Sequence, residues 1–306
     1  MKLFFKKLAL LTLVFAIFAG IVNIAFILVK GSLVPAYVDR FLDAPAQIQV
    51  ANLGNSHGQS GFVYSDHKEL LSANFAFGSQ SLEHDERLLE YYIDRFTEGS
   101  VLYVPVSYSS LFGDTATRSD FLSLNRRYYY ILPPNLILNF SWREWLSVKL
   151  PGLFISNWLS EYWKVDEFEE AAVMTAENMD VQADAQYAVE RHILQFQKNG
   201  AYEYNPIMIE NLEKIVALCK DHNVTPVLVT TPFLREYNDL VPADFLAKQL
   251  NFLNDFAAEH GIEYLDYSRD SRFINRYDLF INSDHMNENG GLLFTNLLLD
   301  NEKPLF

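Results

Sequence analysis

Cysteine is almost absent: Cys219 is the only one in 306 residues, so no intramolecular disulfide can form. It falls in a helical pattern and reads as a small buried hydrophobe. Basic residues are scarce as well, 24 Lys and Arg against 39 Asp and Glu. The first 30 residues hold four lysines and no acid, so the net charge of −15 for the whole chain becomes −19 for residues 31–306. Such a domain repels nucleic acid and anionic lipid headgroups, and no basic stripe offsets this. A strongly acidic polysaccharide is a poor general match too, a local pocket excepted. The chain has no fixed-period repeat, no low-complexity stretch and no glycine-rich phosphate loop. His67, His84, His192, His222 and His260 stand at no metal-ligand spacing with cysteines or acids, so neither a metal nor another cofactor is expected.

What the sequence does contain begins at its amino end. Lys2, Lys6 and Lys7 precede residues 8–29, an uncharged run of 22 closed by Lys30. At about 1.5 Å rise per residue such a helix spans roughly 33 Å, enough to cross a bilayer core. Only Thr12, Gly20 and Asn23 interrupt its apolarity, and no polar face emerges. A cleaved signal peptide is the alternative, but its apolar region is usually about 7–15 residues and ends at small residues. Residues 1–30 are therefore read as a cytoplasmic stub and retained single-pass anchor in the cytoplasmic (inner) membrane. The lysines before the helix put the remaining chain outside the cytoplasm.

Residues 31–46 read as a connector with a short helix near 37–42, and residues 47–306 as one α/β domain. Strand patterns cover 47–53, 72–77, 101–106, 225–230 and 262–265; helical patterns cover 83–96, 206–222, 242–260 and 287–299. This alternation predicts a parallel sheet with helices on both faces and a site beyond the carboxyl ends of the strands. The stretch of about 114–200 breaks it. That stretch holds Arg126, Arg127, Tyr128, Tyr129 and Tyr130 and all four tryptophans, Trp142, Trp145, Trp158 and Trp163. It reads as a mostly helical insertion forming a cap with its own small core; a lid or an aromatic docking surface is the functional alternative.

Two segments carry chemistry. Ser56 lies in Leu53-Gly54-Asn55-Ser56-His57-Gly58, directly after the first strand, where a tight turn exposes a nucleophilic hydroxyl near the amides of the following helix. His285 lies in Asn282-Ser283-Asp284-His285-Met286-Asn287, before the last helix, which Asn287 is suited to cap. A serine needs a neighbouring base to attack an ester, and imidazole is the usual one. His57 adjoins the serine and either lines the same pocket or is structural.

Together these segments resemble the SGNH (GDSL-like) hydrolase superfamily over roughly residues 47–112 and 205–299. The resemblance implies a flavodoxin-like three-layer parallel sheet with Ser56 as nucleophile and His285 as general base. It also implies that Gly78, in Asn74-Phe75-Ala76-Phe77-Gly78-Ser79, gives an amide to the oxyanion hole. Two positions depart from the family pattern. Asn282 stands where the family has Asp, and an amide orients an imidazole without balancing its charge. Asp284 is the substitute acid, although adjacent side chains diverge on extended backbone. No Gly-x-Asn-Asp block follows the third strand; Pro105-Val106-Ser107-Tyr108 stands there, with Ser107 as the replacement oxyanion donor.

The expectation is a serine esterase or O-acyltransferase acting on acyl esters. Anchored proteins of this kind resemble the accessory proteins of cell-surface polysaccharide or teichoic acid O-acylation. That likeness implies a glycan substrate and a multi-pass membrane-bound O-acyltransferase as partner. The alternative is a non-catalytic binding or assembly subunit of an envelope complex.

Overall fold

The computed structural model describes residues 1–30, 34–113, 121–151, 154 and 173–305. Trp158 and Trp163 lie outside these. Contacts divide the chain into two units, Met1–Leu42 with Asn125–Asp166, and Asp43–Leu124 with Glu167–Phe306. The boundary falls inside the expected 114–200 insertion, whose later part belongs to the α/β unit.

In the first unit, helix α1 spans Lys2–Lys30, and its stretch Lys2–Val29 is long and apolar enough to cross a membrane. Tyr128, Tyr129 and Tyr130 are buried, and Arg126 bonds Glu144 at 3.2 Å and Ser147 at 2.9 Å. Phe140, Trp142 and Trp145 meet edge to face, with Trp142 left 67% exposed.

The second unit is built on five parallel strands: β1 (Ile48–Asn52), β2 (Ser72–Asn74), β3 (Phe96–Pro105), β4 (Thr225–Thr230) and β5 (Glu263–Asp266). Their spatial order is β2-β1-β3-β4-β5, the flavodoxin-like doubly wound arrangement. Interior strand β4 is rich in β-branched residues and buried from Pro226 onward. Val50, Tyr103, Val227, Val229 and Leu265 share a core with Phe62, Phe294 and Leu298. Leu102, Val104 and Leu228 point the other way by the period-2 rule and are fully buried, so both faces are covered.

The helices are α2 (Ser56–Gly61), α3 (Leu82–Tyr92), α4 (Val181–His192), α5 (Pro206–Asp221), α6 (Arg235–Leu240), α7 (Ala243–His260) and α8 (Glu288–Leu299). Local chemistry sets several ends. Asn205 accepts from the Ile207 amide ahead of Pro206, and Gly261 closes α7 in the left-handed region at φ +60°. In a 2-1-3-4-5 sheet the winding direction reverses between β1 and β3, which opens a crevice at their carboxyl ends. Ser56 follows β1 and Ser107 follows β3, so both stand at that crevice.

Candidate active site

Ser56 is the first residue of α2, and the turn leading to it is fixed from three sides. Gly54 has φ +115°, and a Cβ there would stand 3.1 Å from the Pro105 ring at the end of β3. Asn55 caps α2 by accepting from the His57 amide at 3.0 Å, while its Nδ2 donates to Ser107 Oγ at 2.7 Å. Behind the turn, Asp85 of α3 accepts from the Gly54 amide at 2.8 Å and from Gln80 Nε2 at 2.6 Å. Burial pushes its carboxyl up to about 7, against those two bonds, which favour the anion. Gly58 lets α2 lie close, since a Cβ would meet the Leu53 carbonyl at 2.6 Å.

His285 sits in a pinched loop ahead of α8. Phe280 and Met286 form an antiparallel bridge, and the Ile281 amide donates to the His285 carbonyl at 2.8 Å. Asn282 Oδ1 accepts from the amides of Asp284 (3.2 Å) and His285 (2.8 Å), which bends the backbone between them. Asn287 caps α8, accepting from the Gly290 amide at 3.0 Å.

The result is a continuous polar chain. His285 Nε2 lies 2.8 Å from Ser56 Oγ, and His285 Nδ1 lies 2.8 Å from Asp284 Oδ1 and 3.1 Å from Asn282 Oδ1. Asp284 was expected to diverge from its neighbour on extended backbone. The bend induced by Asn282 removes that premise and turns both side chains to one side.

Asp284 is the hub of a larger cluster. Its Oδ2 is 3.1 Å from His57 Nε2 and 3.0 Å from His192 Nδ1. The His57 and His285 rings stack with centroids 4.5 Å apart and planes 21° from parallel. Burial works to raise the Asp284 pKa, but the charge of His285 and the close approach of His192, His285 and His57 prevail and hold it well below the usual range. His57 is pushed down to about 4, by burial first and by His285 next, against the pull of Asp284. A neutral His57 therefore donates through Nε2 to an ionised Asp284.

A metal is the other ligand such a group suggests, since His57, His192 and Asp284 offer donor atoms within 4.8 Å of one another. Their outer atoms do not fit one. A metal-bound imidazole passes its other N–H to an acceptor. His57 Nδ1 has no partner among the described residues, and His192 Nε2 accepts from Arg191 Nε at 3.2 Å. His57 hydrogen-bonds the Asp284 carboxylate, while His192 Nδ1 stands 3.0 Å from the same oxygen as a close contact without hydrogen-bond geometry.

The two expected oxyanion donors are differently placed. The Gly78 amide donates to Gln59 Oε1 at 2.7 Å, three residues along α2 from Ser56. The buried Ser107 hydroxyl accepts from Asn55 and lies 2.9 Å from Ser110 Oγ, so it tethers the turn. The Ser56 amide makes no hydrogen bond among the described residues.

His192, Asp85, Gln59 and Asn55 enter the site without a sequence signal of their own. Asp85 read as one of several acids favouring a helix start, and nothing in the spacing of His192 linked it to residue 284. The Asn287 cap was readable, because Asn three residues before Gly290 opens an apolar run.

No family model and no curated protein matches the chain. Among solved structures it is similar to a "putative acylhydrolase" from Bacteroides fragilis, at 11% identity over 87% of this chain and 94% of that one, with a TM-score of 0.43. The fold assignment rests on the strand order of the chain itself.

Proposed function

We propose that the chain is a serine-dependent enzyme of acyl esters, with Ser56 as nucleophile, His285 as general base and Asp284 as the acid that orients it. One observation carries this reading: 2.8 Å from Ser56 Oγ to His285 Nε2, and 2.8 Å from His285 Nδ1 to Asp284 Oδ1. In attack, Oγ bonds to the acyl carbon while His285 Nε2 takes its proton, and Asp284 balances the imidazolium. Nε2 then returns the proton to the departing alkoxide. Water or a second hydroxyl repeats the sequence to release the acyl group, giving hydrolysis or transfer. The Ser56 amide is the first oxyanion donor, and the Gly78 amide joins it when Gln59 turns aside.

The helix Lys2–Val29 supports an anchored protein whose catalytic unit faces outside the cytoplasm. The lysines ahead of it favour that orientation. The sequence resemblance to SGNH hydrolases supports acyl esters of cell-surface glycans as substrate and a multi-pass membrane-bound O-acyltransferase as partner. The net charge of −19 on residues 31–306 favours a neutral glycan over an acidic one.

The test is labelling of the detergent-solubilised full chain with a fluorophosphonate. The wild type should label and Ser56→Ala should not. A folded wild type that neither labels nor hydrolyses p-nitrophenyl acetate would favour the binding or assembly subunit.

A further inference from the structure

The catalytic loop is held by a segment distant in sequence. Between Met174 and His192 the chain touches residues 280–287 at four points. The Ala176 amide donates to the Phe280 carbonyl at 2.8 Å, and Asn287 Nδ2 donates to the Met174 carbonyl at 3.0 Å. The Ser283 amide donates to Asp184 Oδ2 at 2.9 Å, and His192 Nδ1 stands 3.0 Å from Asp284 Oδ2. The first two grip the ends of the loop, and the last two grip the residues beside His285.

We propose that His192 is a positioning residue of the Ser56 site, acting through Asp284; this rests on the proposed function. A carboxylate fixed at one oxygen still turns about its Cβ–Cγ bond. Asp284 Oδ1 serves His285, so its direction depends on what holds Oδ2. His57 hydrogen-bonds Oδ2, and His192 Nδ1 packs 3.0 Å from it without hydrogen-bond geometry, the two rings 83° apart, so Oδ2 is confined from two directions. The tautomer of His192 suits this role, because Arg191 donates to Nε2 and leaves the proton on Nδ1, the atom facing Asp284. Helix α4, which carries His192 and Asp184, packs on α6, and the Leu234 amide ahead of α6 donates to the Ser283 carbonyl at 3.0 Å. The clamp is thus closed on the loop from both sides. Its place in the chain makes the carboxyl-terminal leg of the insertion part of the catalytic apparatus.

The experiment compares the full-length wild type, His192→Phe and His192→Asn on p-nitrophenyl acetate. Misplacing a catalytic group by about 1 Å can cost on the order of 100-fold, so the phenylalanine variant should lose roughly 10–100-fold in kcat. Its KM should stay within about two-fold, because the proposed role of His192 runs through Asp284. Asparagine keeps a donor near Nδ1 and should restore most of the loss. A phenylalanine variant within about two-fold of wild type in kcat would overturn the proposal, as would equal losses in both variants. A second measurement does not depend on turnover. In ¹⁵N-histidine spectra His285 should be the Nδ1-protonated tautomer in the wild type and a mixture in His192→Phe. An unchanged His285 spectrum sinks the positioning role, whereas an inert wild type with the expected change in spectrum sinks only the proposed function.

Discussion

Asp284 sets one oxygen 2.8 Å from His285 and the other beside His57 and His192, while Asn282 divides its oxygen between two backbone amides and His285 Nδ1 at 3.1 Å. This division of labour predicts unequal mutants. Asp284→Asn should lower kcat on p-nitrophenyl acetate by on the order of 10⁴, the loss seen when a triad acid becomes an amide. Asn282→Asp keeps an acceptor for the turn and should change kcat by only a few-fold. The reverse ranking would return the role of acid to position 282. Asp85 yields a prediction of another kind. Its carboxyl rises from 3.8 to about 7, so between those values the native state holds a proton that the unfolded chain has lost. Stability from this group is full below 3.8 and declines as pH rises through 7, by at most about 4 kcal/mol. Asp85→Asn mimics the protonated form and keeps an acceptor for Gly54 and Gln80. Its Tm should therefore fall less than that of the wild type between pH 5 and pH 8; parallel curves would contradict the raised pKa. Ser56 and His285 were legible in the sequence because each adjoins the end of a strongly patterned element. The partners of Asp284 were not, because a bend made by one side chain and a ring from residue 192 leave no periodic trace.

Among the elements, the five strands and the long helices were readable from apolar runs and from 3.6-residue stripes. Edges were less so. β3 begins at Phe96, within the expected helix of 83–96, because the chain leaves α3 through a short 3-10 turn at Ile93–Arg95 and pairs at once with Ile48. The short helix α6 was missed for lack of length, since six residues show no full stripe. Packing of α8 on α2 is what brings His285 to Ser56, and it depends on Gly291. A Cβ at that position would meet the Ser60 carbonyl at 2.6 Å and Val63 Cγ2 at 2.7 Å. Gly291→Ala should therefore destabilise the fold by about 1–3 kcal/mol, the usual range for overpacking. Thermal melting measures that, and slower fluorophosphonate labelling should accompany it as α2 and α8 move apart. A Tm equal to that of the wild type would show that the two helices give way freely.

At the scale of the whole molecule, an apolar helix of 28 residues joins a strongly acidic remainder. If the helix is a retained anchor, the full-length chain should stay in the membrane pellet after carbonate washing. Protease added outside the cytoplasm should then digest residues 31–306. A soluble product lacking residues 1–30 would identify the segment as a cleaved leader. The sheet itself imposes an order in time. Ser56 and His285 stand 229 residues apart, and β4 and β5 are both made after the long interval that follows β3. At about 5–20 residues per second, roughly 10–50 s of synthesis separate the hydroxyl from its base. Throughout that interval the growing chain carries a serine with nothing to deprotonate it, and half a sheet with an open edge along β3. The pair is thus completed last, when the loop ahead of α8 brings His285 to Ser56. A ribosome that stalls early leaves behind a fragment that holds Ser56 without His285.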